Sequence, residues 1–400
     1  MVEKLAVEGG EPVRREPWPR RVQFGEEELN AVIEVMKSGM EDSVKLWRMG
    51  GTKTKEFETE FAKFYGSKYA AASSTGTAAI HLAVAACRFE PGSEVITSPI
   101  TDVGTVTPIL IQNLVPIFAD VDPETLNVTP EAVAKCISAK TKAIIVVHLS
   151  GLLCDMDPIL ELAEEHNLMV IEDCAQAHYA EYKGRFAGTI GDMGCFSLMV
   201  GKHMTSGGEG GMTITDNEEL WRNSMLFARN MPTPWTRIRY DIPFPVLNYR
   251  MTELQAAIGL VQLKKLPKIV EQRRRLGTKL AESISHLETV KPAKVLKGTK
   301  PSYWFSIIHV DTDAIRVSID DFAEALRREG IPVGARYTGA PMYEYEFLKD
   351  RKIYANSCPN AKKALGGVLT LSLHEYCTER EVEDTVKALE KAEANYRRTP

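Results

Sequence analysis

The stretch CFSLMVGKHMTSGGEGGM, Cys195 to Met212, decides how this chain is read. It opens as an apolar, strand-length run around Gly194 to Leu198 and closes in a glycine-dense turn, whose residues let backbone pass close to a ligand. Lys202 lies between them, with few other charges nearby. A lysine that loses part of its water shell loses basicity and becomes nucleophilic enough to form a Schiff base. Ser197, five residues earlier, can offer a hydroxyl to a phosphate. Alone, the same pattern also describes a lysine in a flexible surface loop.

Two further strand ends carry unusual residues. In IEDCAQAH, Ile171 to His178, an apolar strand ends in two adjacent carboxylates that must point to opposite faces. Asp173 is set to reach into the crevice at the carboxyl end of the sheet, where open α/β sheets bind ligands. A carboxylate there can keep a pyridinium nitrogen protonated and make a cofactor ring an electron sink. The plainer alternative is a strand-end Asp that caps the next helix. In STGTAA, Ser74 to Ala79, a Gly-Thr pair between strand and helix leaves free amides at a helix start. Those amides and the helix dipole favour a phosphate, and the Thr77 hydroxyl can add a bond. An ordinary capping turn uses the same residues.

Around these ends the chain alternates apolar, strand-length runs with amphipathic helical spacing. Strands are expected at Tyr69 to Ser73, Glu94 to Thr97, Val115 to Ala119, Ala143 to Val147, Met169 to Glu172 and Gly211 to Thr215. Helices are expected at Glu26 to Lys37, stopping before Gly39, at a segment marked by Phe57, Phe61 and Phe64, and from Thr77 to Cys87. This is an α/β pattern with a mostly parallel sheet covered on both faces. From Met251 the character changes to two long helices, Glu253 to Leu263 and Val270 to His286, then a mixed region and a last helix from Glu379 to Ala394. The expected division is an N-terminal arm, 1–24, a large domain, 25–263, and a smaller C-terminal α+β domain, 264–400. The Pro-, Gly- and Arg-rich arm reads as extended over the surface or over a neighbouring subunit, or as a mobile tail.

The 400 residues suit a large core plus a smaller one. With 44% hydrophobic and 26% charged residues, a net charge of −5 and no basic run, nothing points to nucleic acid. Apolar runs fall far short of the ~20 residues of a membrane span, and the N-terminus lacks a signal-peptide pattern. Seven scattered cysteines without metal-site spacing are read as reduced thiols in a cytoplasm, with no metal site.

A phosphate turn, an Asp about 100 residues on and a Lys about 30 later is the layout of the aspartate aminotransferase fold, fold type I. Nearly the whole chain resembles the DegT/StrS family of sugar and cyclitol aminotransferases. The resemblance is carried by STGTAAIHLA (Ser74 to Ala83), PIFADVDPETLNVTPEAV (Pro116 to Val133), IEDCAQAHYAEYKGRFAGTIGDMGCFS (Ile171 to Ser197), GKHMTSGGEGGMTITD (Gly201 to Asp216) and LNYRMTELQAAIGLVQL (Leu247 to Leu263). It implies pyridoxal 5'-phosphate held by Lys202 as a Schiff base, with Asp173 on the pyridine nitrogen and Gln176 on the ring and its phenolic oxygen. It implies that Gly76, Thr77 and Ser197 bind the phosphate. Asn248 would reach the phosphate of the neighbouring subunit, so a homodimer with shared active sites is expected. Arg250 is either a donor-carboxylate ligand or part of an ion pair in that interface.

The chain departs from the family pattern at three places. Asp102 follows Thr101 where an aromatic residue usually stacks on the cofactor ring. His178-Tyr179 replaces His-Gly, and Leu371-Ser372-Leu373-His374 replaces Leu-Pro-Leu-His. Asp102 and His374 are therefore candidate substrate contacts, the latter with a bland structural role as its alternative, while His203 is expected to point away from the ring. The resemblance implies ping-pong transfer from glutamate or glutamine to a keto-sugar or keto-cyclitol, with Lys202 moving the Cα proton. A ring-forming elimination and a non-catalytic regulator are the rival readings. Dehydratase relatives carry histidine in place of the lysine.

Overall fold

The computed structural model describes residues 3–46, 51–229, 242–349 and 358–398. Helices α1 (Glu26–Glu41) and α2 (Thr52–Tyr65) come first. α1 runs on through Gly39, and leaves Leu29, Ile33, Met36 and Met40 exposed along one side. α2 stops where the sequence predicts, at Gly66, whose positive φ of 76° only glycine adopts without cost.

Strands β1 (Tyr69–Ser73), β2 (Glu94–Thr97), β3 (Val115–Phe118), β4 (Thr141–Val147) and β5 (Met169–Asp173) then alternate with α3 (Gly76–Ala86), α4 (Val103–Ile111), α5 (Pro130–Cys136) and α6 (Met156–His166). A short hairpin, β6 (Glu181–Tyr182) and β7 (Arg185–Phe186), precedes β8 (Met193–Ser197), β9 (Gly211–Thr215) and α7 (Glu218–Arg229). Seven strands form one sheet in the order β1-β9-β8-β5-β4-β2-β3. β9 is antiparallel to both its neighbours, and the remaining pairs are parallel. Alternate side chains of β4 serve separate cores: Ile144 and Val146 enter one, Ala143 and Ile145 the other. The sheet is buried on both faces, as its unbroken apolar runs require.

α8 (Glu253–Ile284) follows. The sequence suggests two helices separated near Pro267, but α8 is one helix of 32 residues. Its start is fixed by a Thr252–Gln255 capping box. Pro267 removes one donor from the ladder, and packing outweighs that loss. Leu260, Leu263, Leu266 and Val270 lie in the core under the large sheet, whereas Leu276, Leu280 and Ile284 lie in a second core.

That second core is built on β10 (Val290–Pro292), β12 (Ser306–Val310), β13 (Gly334–Ala335) and β14 (Val368–Leu371), an antiparallel sheet in the order β10-β12-β14-β13. β11 (Thr299–Lys300) instead joins the hairpin of β6 and β7. Helices α9 (Ile319–Arg328) and α12 (Glu379–Tyr396) cover the second sheet, and α10 (Glu346–Lys349) and α11 (Pro359–Gly366) lead into β14. The N-terminal arm lies on this core of its own chain. Leu5 is fully buried in it, the amides of Ala6 and Val13 donate to the Glu329 carboxylate at 2.8 and 2.9 Å, and Arg14 pairs with Glu381 and Asp384.

Candidate active site

Because β1, β5 and β8 point the same way, the turns after Ser73, Asp173 and Ser197 meet at one edge of the sheet. The first turn begins α3. Thr75 caps it by accepting from the Ala78 amide at 3.0 Å, and the opening amides of α3 stay outside the helix's own ladder. Gly76 passes so close to Ser197 that a Cβ there would lie 2.6 Å from the serine's Cβ. Any other residue at 76 would push the two turns apart.

β5 ends in Glu172 and Asp173, both buried, on opposite faces. Asp173 accepts from the Thr105 hydroxyl at 2.7 Å and the Ala175 amide at 3.0 Å. Burial pushes its carboxyl above the usual range, and Thr105, Ala175 and the charge of Lys202 oppose the rise. Thr105 is held in turn by Thr101, at 2.7 Å.

After β8 the chain turns tightly, with Leu198 donating to Gly210 and Val200 to Gly208. Lys202 sits in this turn, only 7% exposed. Its Nζ lies 3.4 Å from the centroid of the Trp304 ring. Burial lowers its pKa from 10.5 to about 8, against the pull of Asp173, Asp102 and Glu209. An amine so depressed is partly free base near neutral pH.

Gln176 is fixed at both ends. Its Oε1 accepts from the Ser150 amide and its Nε2 donates to the Tyr337 hydroxyl, each at 2.7 Å. Ser150, Tyr303 and Tyr337 all adopt left-handed backbone, with φ of 59°, 47° and 43°. Such residues cost on the order of 1–3 kcal/mol each and gather where surrounding structure holds them for function.

Asp102 is exposed and caps α4 by accepting from the Gly104 amide at 2.8 Å. Its charge is felt at Asp173, Lys202 and Tyr337. His178 and His203 are fully buried, with ring centroids 5.3 Å apart. Burial drives His178 down to about 3 and His203 well below its usual value, so both are neutral. The His203 ring faces the Ser302 carbonyl, at 3.1 Å.

Three candidates lie apart from this cluster within the chain. Asn248 is exposed and accepts from the Arg250 guanidinium at 2.9 Å, just before α8. His374 is buried and spends both ring nitrogens locally, on the Pro19 carbonyl at 3.0 Å and the Tyr376 amide at 3.3 Å. It anchors the N-terminal arm, the bland alternative raised by its sequence context. Thr105, Trp304 and Tyr337 escaped the sequence reading. Thr105 alone left a signal, one helical turn beyond Thr101 at the strand end that carries Asp102.

This assembly can be set beside known proteins. Residues 22–390 match the DegT/DnrJ/EryC1/StrS aminotransferase family. The chain belongs to that family. It is 33% identical over 375 residues to the spore coat polysaccharide biosynthesis protein SpsC of Bacillus subtilis, covering 92% of this chain and 94% of that protein. It is 35% identical over 365 residues to the L-glutamine:2-deoxy-scyllo-inosose aminotransferase of Streptomyces fradiae, covering 88% and 86%. Among solved structures, the aminotransferase from Psychrobacter cryohalolentis superposes with a TM-score of 0.85 at 33% identity, covering 95% of this chain and 99% of that one. The fold is that of the type I pyridoxal-phosphate aminotransferases, and the chain is an aminotransferase.

The family implies pyridoxal 5'-phosphate, and the residues here fit it. The buried carboxylate of Asp173 keeps acceptor capacity for a ring N–H, the buried amine of Lys202 is depressed toward neutrality, and Gly76 gives the close approach of two turns that a phosphate cradle needs.

Proposed function

We propose that this aminotransferase moves an amino group from glutamate or glutamine to a keto-sugar or keto-cyclitol in two half-reactions of ping-pong type, using Lys202 and Asp173. One observation carries the reading: the depressed amine of Lys202 and the buried carboxylate of Asp173 serve one crevice, near enough for each charge to shift the other. Bound pyridoxal phosphate would supply the electron sink that lets the donor's Cα–H bond break.

The chain's own groups do the rest. Lys202 would take the donor's Cα proton on its Nζ and later give it back, a task suited to a pKa of about 8. Asp173, oriented by Thr105 and Ala175, holds a positive charge on the ring nitrogen. Gln176, locked between Ser150 and Tyr337, presents its amide edge to the ring oxygen. The opening amides of α3, at Gly76 and Thr77, and the Ser197 hydroxyl cradle the phosphate. Asp102 faces the acceptor at the mouth, where a carboxylate accepts from sugar or cyclitol hydroxyls.

We read the working unit as a homodimer. Support comes from the exposed stripe of Leu29, Ile33, Met36 and Met40 on α1, which a monomer would leave in water, and from Asn248, which is exposed and bonded to Arg250. A cytoplasmic location agrees with seven free cysteines and with the absence, among the described residues, of any helix long and apolar enough to cross a membrane.

The test is chemical. Protein treated with pyridoxal phosphate and borohydride should carry the reduced adduct on the Lys202 peptide, and Lys202→Ala should carry none. Protein loaded with pyridoxamine phosphate should then regain the aldehyde form when given a keto-cyclitol or nucleotide-linked keto-sugar. Retention of the adduct by Lys202→Ala, or silence across the ketone panel, would overturn the reading.

A further inference from the structure

We propose that Trp304 is a positioning residue for Lys202: its indole face receives the lysine's ε-ammonium, while its N–H and carbonyl fasten the lysine turn to a buried ion pair. The proposal rests on Lys202 being the reacting amine. Trp304 stands just before β12, more than a hundred residues from Lys202 in sequence, and links the lysine turn to Arg273. The Lys202 Nζ lies 3.4 Å from the ring centroid. The indole Nε1 donates to the carbonyl of Gly201, beside the lysine, at 2.8 Å. The Trp304 carbonyl accepts from Arg273 at 3.0 Å.

Arg273 is 1% exposed and is paired with Glu375 at 2.8 Å. Glu375 also pairs with Arg21 of the N-terminal arm at 2.8 Å, and Arg21 donates to the carbonyls of Val200 and His203 at 3.3 and 3.1 Å. The turn that carries Lys202 is therefore gripped at Val200, Gly201 and His203 by one connected set of groups, with Trp304 as its member inside the crevice. Tyr303, immediately before it, has the left-handed backbone noted above.

The chemistry follows from where the cation rests. A buried ammonium loses hydration, and an aromatic face returns part of that loss. During transfer Lys202 alternates between carrying a proton and giving it up, so a face that holds the ammonium sets both its direction and its basicity. The other groups facing the amine are the carboxylates of Asp173, Asp102 and Glu209, which favour the ammonium. His178 and His203 are neutral neighbours, and Arg273 stands behind the Trp304 carbonyl.

The experiment uses the full chain freed of cofactor, trace-labelled with acetic anhydride across a pH series, with Lys202 followed by peptide mass spectrometry. Trp304→Met removes the aromatic face and should lower the labelling midpoint of Lys202 by about one pH unit. Trp304→Phe keeps a weaker face and should fall between Trp304→Met and the unaltered chain. An unchanged midpoint in folded Trp304→Met overturns the proposal. If that variant does not fold, Trp304→Phe decides: a downward shift of a few tenths of a unit supports the proposal, and none overturns it. Borohydride trapping on the same variants reports separately on Lys202. A variant that still traps cofactor while its midpoint stays fixed removes Trp304 from the argument and leaves the lysine's role intact.

Discussion

Glu172 and Asp173 are neighbours on one strand, both buried, yet their surroundings treat them oppositely. Glu172 accepts from His148 at 3.0 Å and from the amides of Gly188, Ile190 and Gly191 at 2.7 to 2.9 Å. Burial alone would raise its carboxyl, but these partners outweigh burial and hold it below the usual range. Asp173 has two donors among the described residues, and its carboxyl stays raised. The number of donors, rather than depth, separates them. Four donors saturate a carboxylate and make it a structural tie between strand and loop. Two leave it able to hold one more cation, and that spare capacity is what a site can use.

The contrast breaks most severely at Asp173. Asp173→Asn keeps shape and removes charge, so turnover of a glutamate half-reaction should fall on the order of a hundred- to a thousandfold, with the unfolding midpoint hardly moved. A similar loss of stability would make Asp173 a second structural tie. Glu172→Gln should do the reverse. It takes the charge from a saturated site and should cost about 3 kcal/mol in denaturant unfolding, while folded protein keeps its half-reaction rate within a few fold. Collapse of that rate at unchanged stability would put both carboxylates in the chemistry.

The smallest change sharpens the difference. Thr105→Val removes one of the two donors of Asp173. That bond favours the ionised carboxylate, so without it the pKa rises further. Ionised Asp173 is lost as pH falls, and the acidic limb of the rate profile should therefore move to higher pH, by about one unit. A shift toward lower pH, or none, would separate Asp173 from that limb.

What the sequence made legible here follows from range. Parallel strands buried on both faces must be nearly all apolar, so Ala143 to Val147 could be read directly, and carboxylates or glycines at strand ends stand out against such runs. Lys202, Asp173, Thr77 and Ser197 lie on segments whose local pattern marks them, whereas Gln176 is reached only through the family resemblance. Trp304 and Tyr337 reach the same crevice from loops beside the second sheet, and no local period marks a side chain delivered by tertiary packing. α8 departs from its sequence pattern for the opposite reason. Pro267 is a strong local stop signal, and contacts to two cores overrode it.

That unbroken α8 has a mechanical consequence. A single rod shared by two cores transmits torque between them. The smaller core therefore cannot swing as on a slack tether; any relative motion must flex the rod itself, most easily at Pro267, where one rung of the ladder is missing. Heat should accordingly melt both cores in one step, since neither can let go of the rod while the other still grips it.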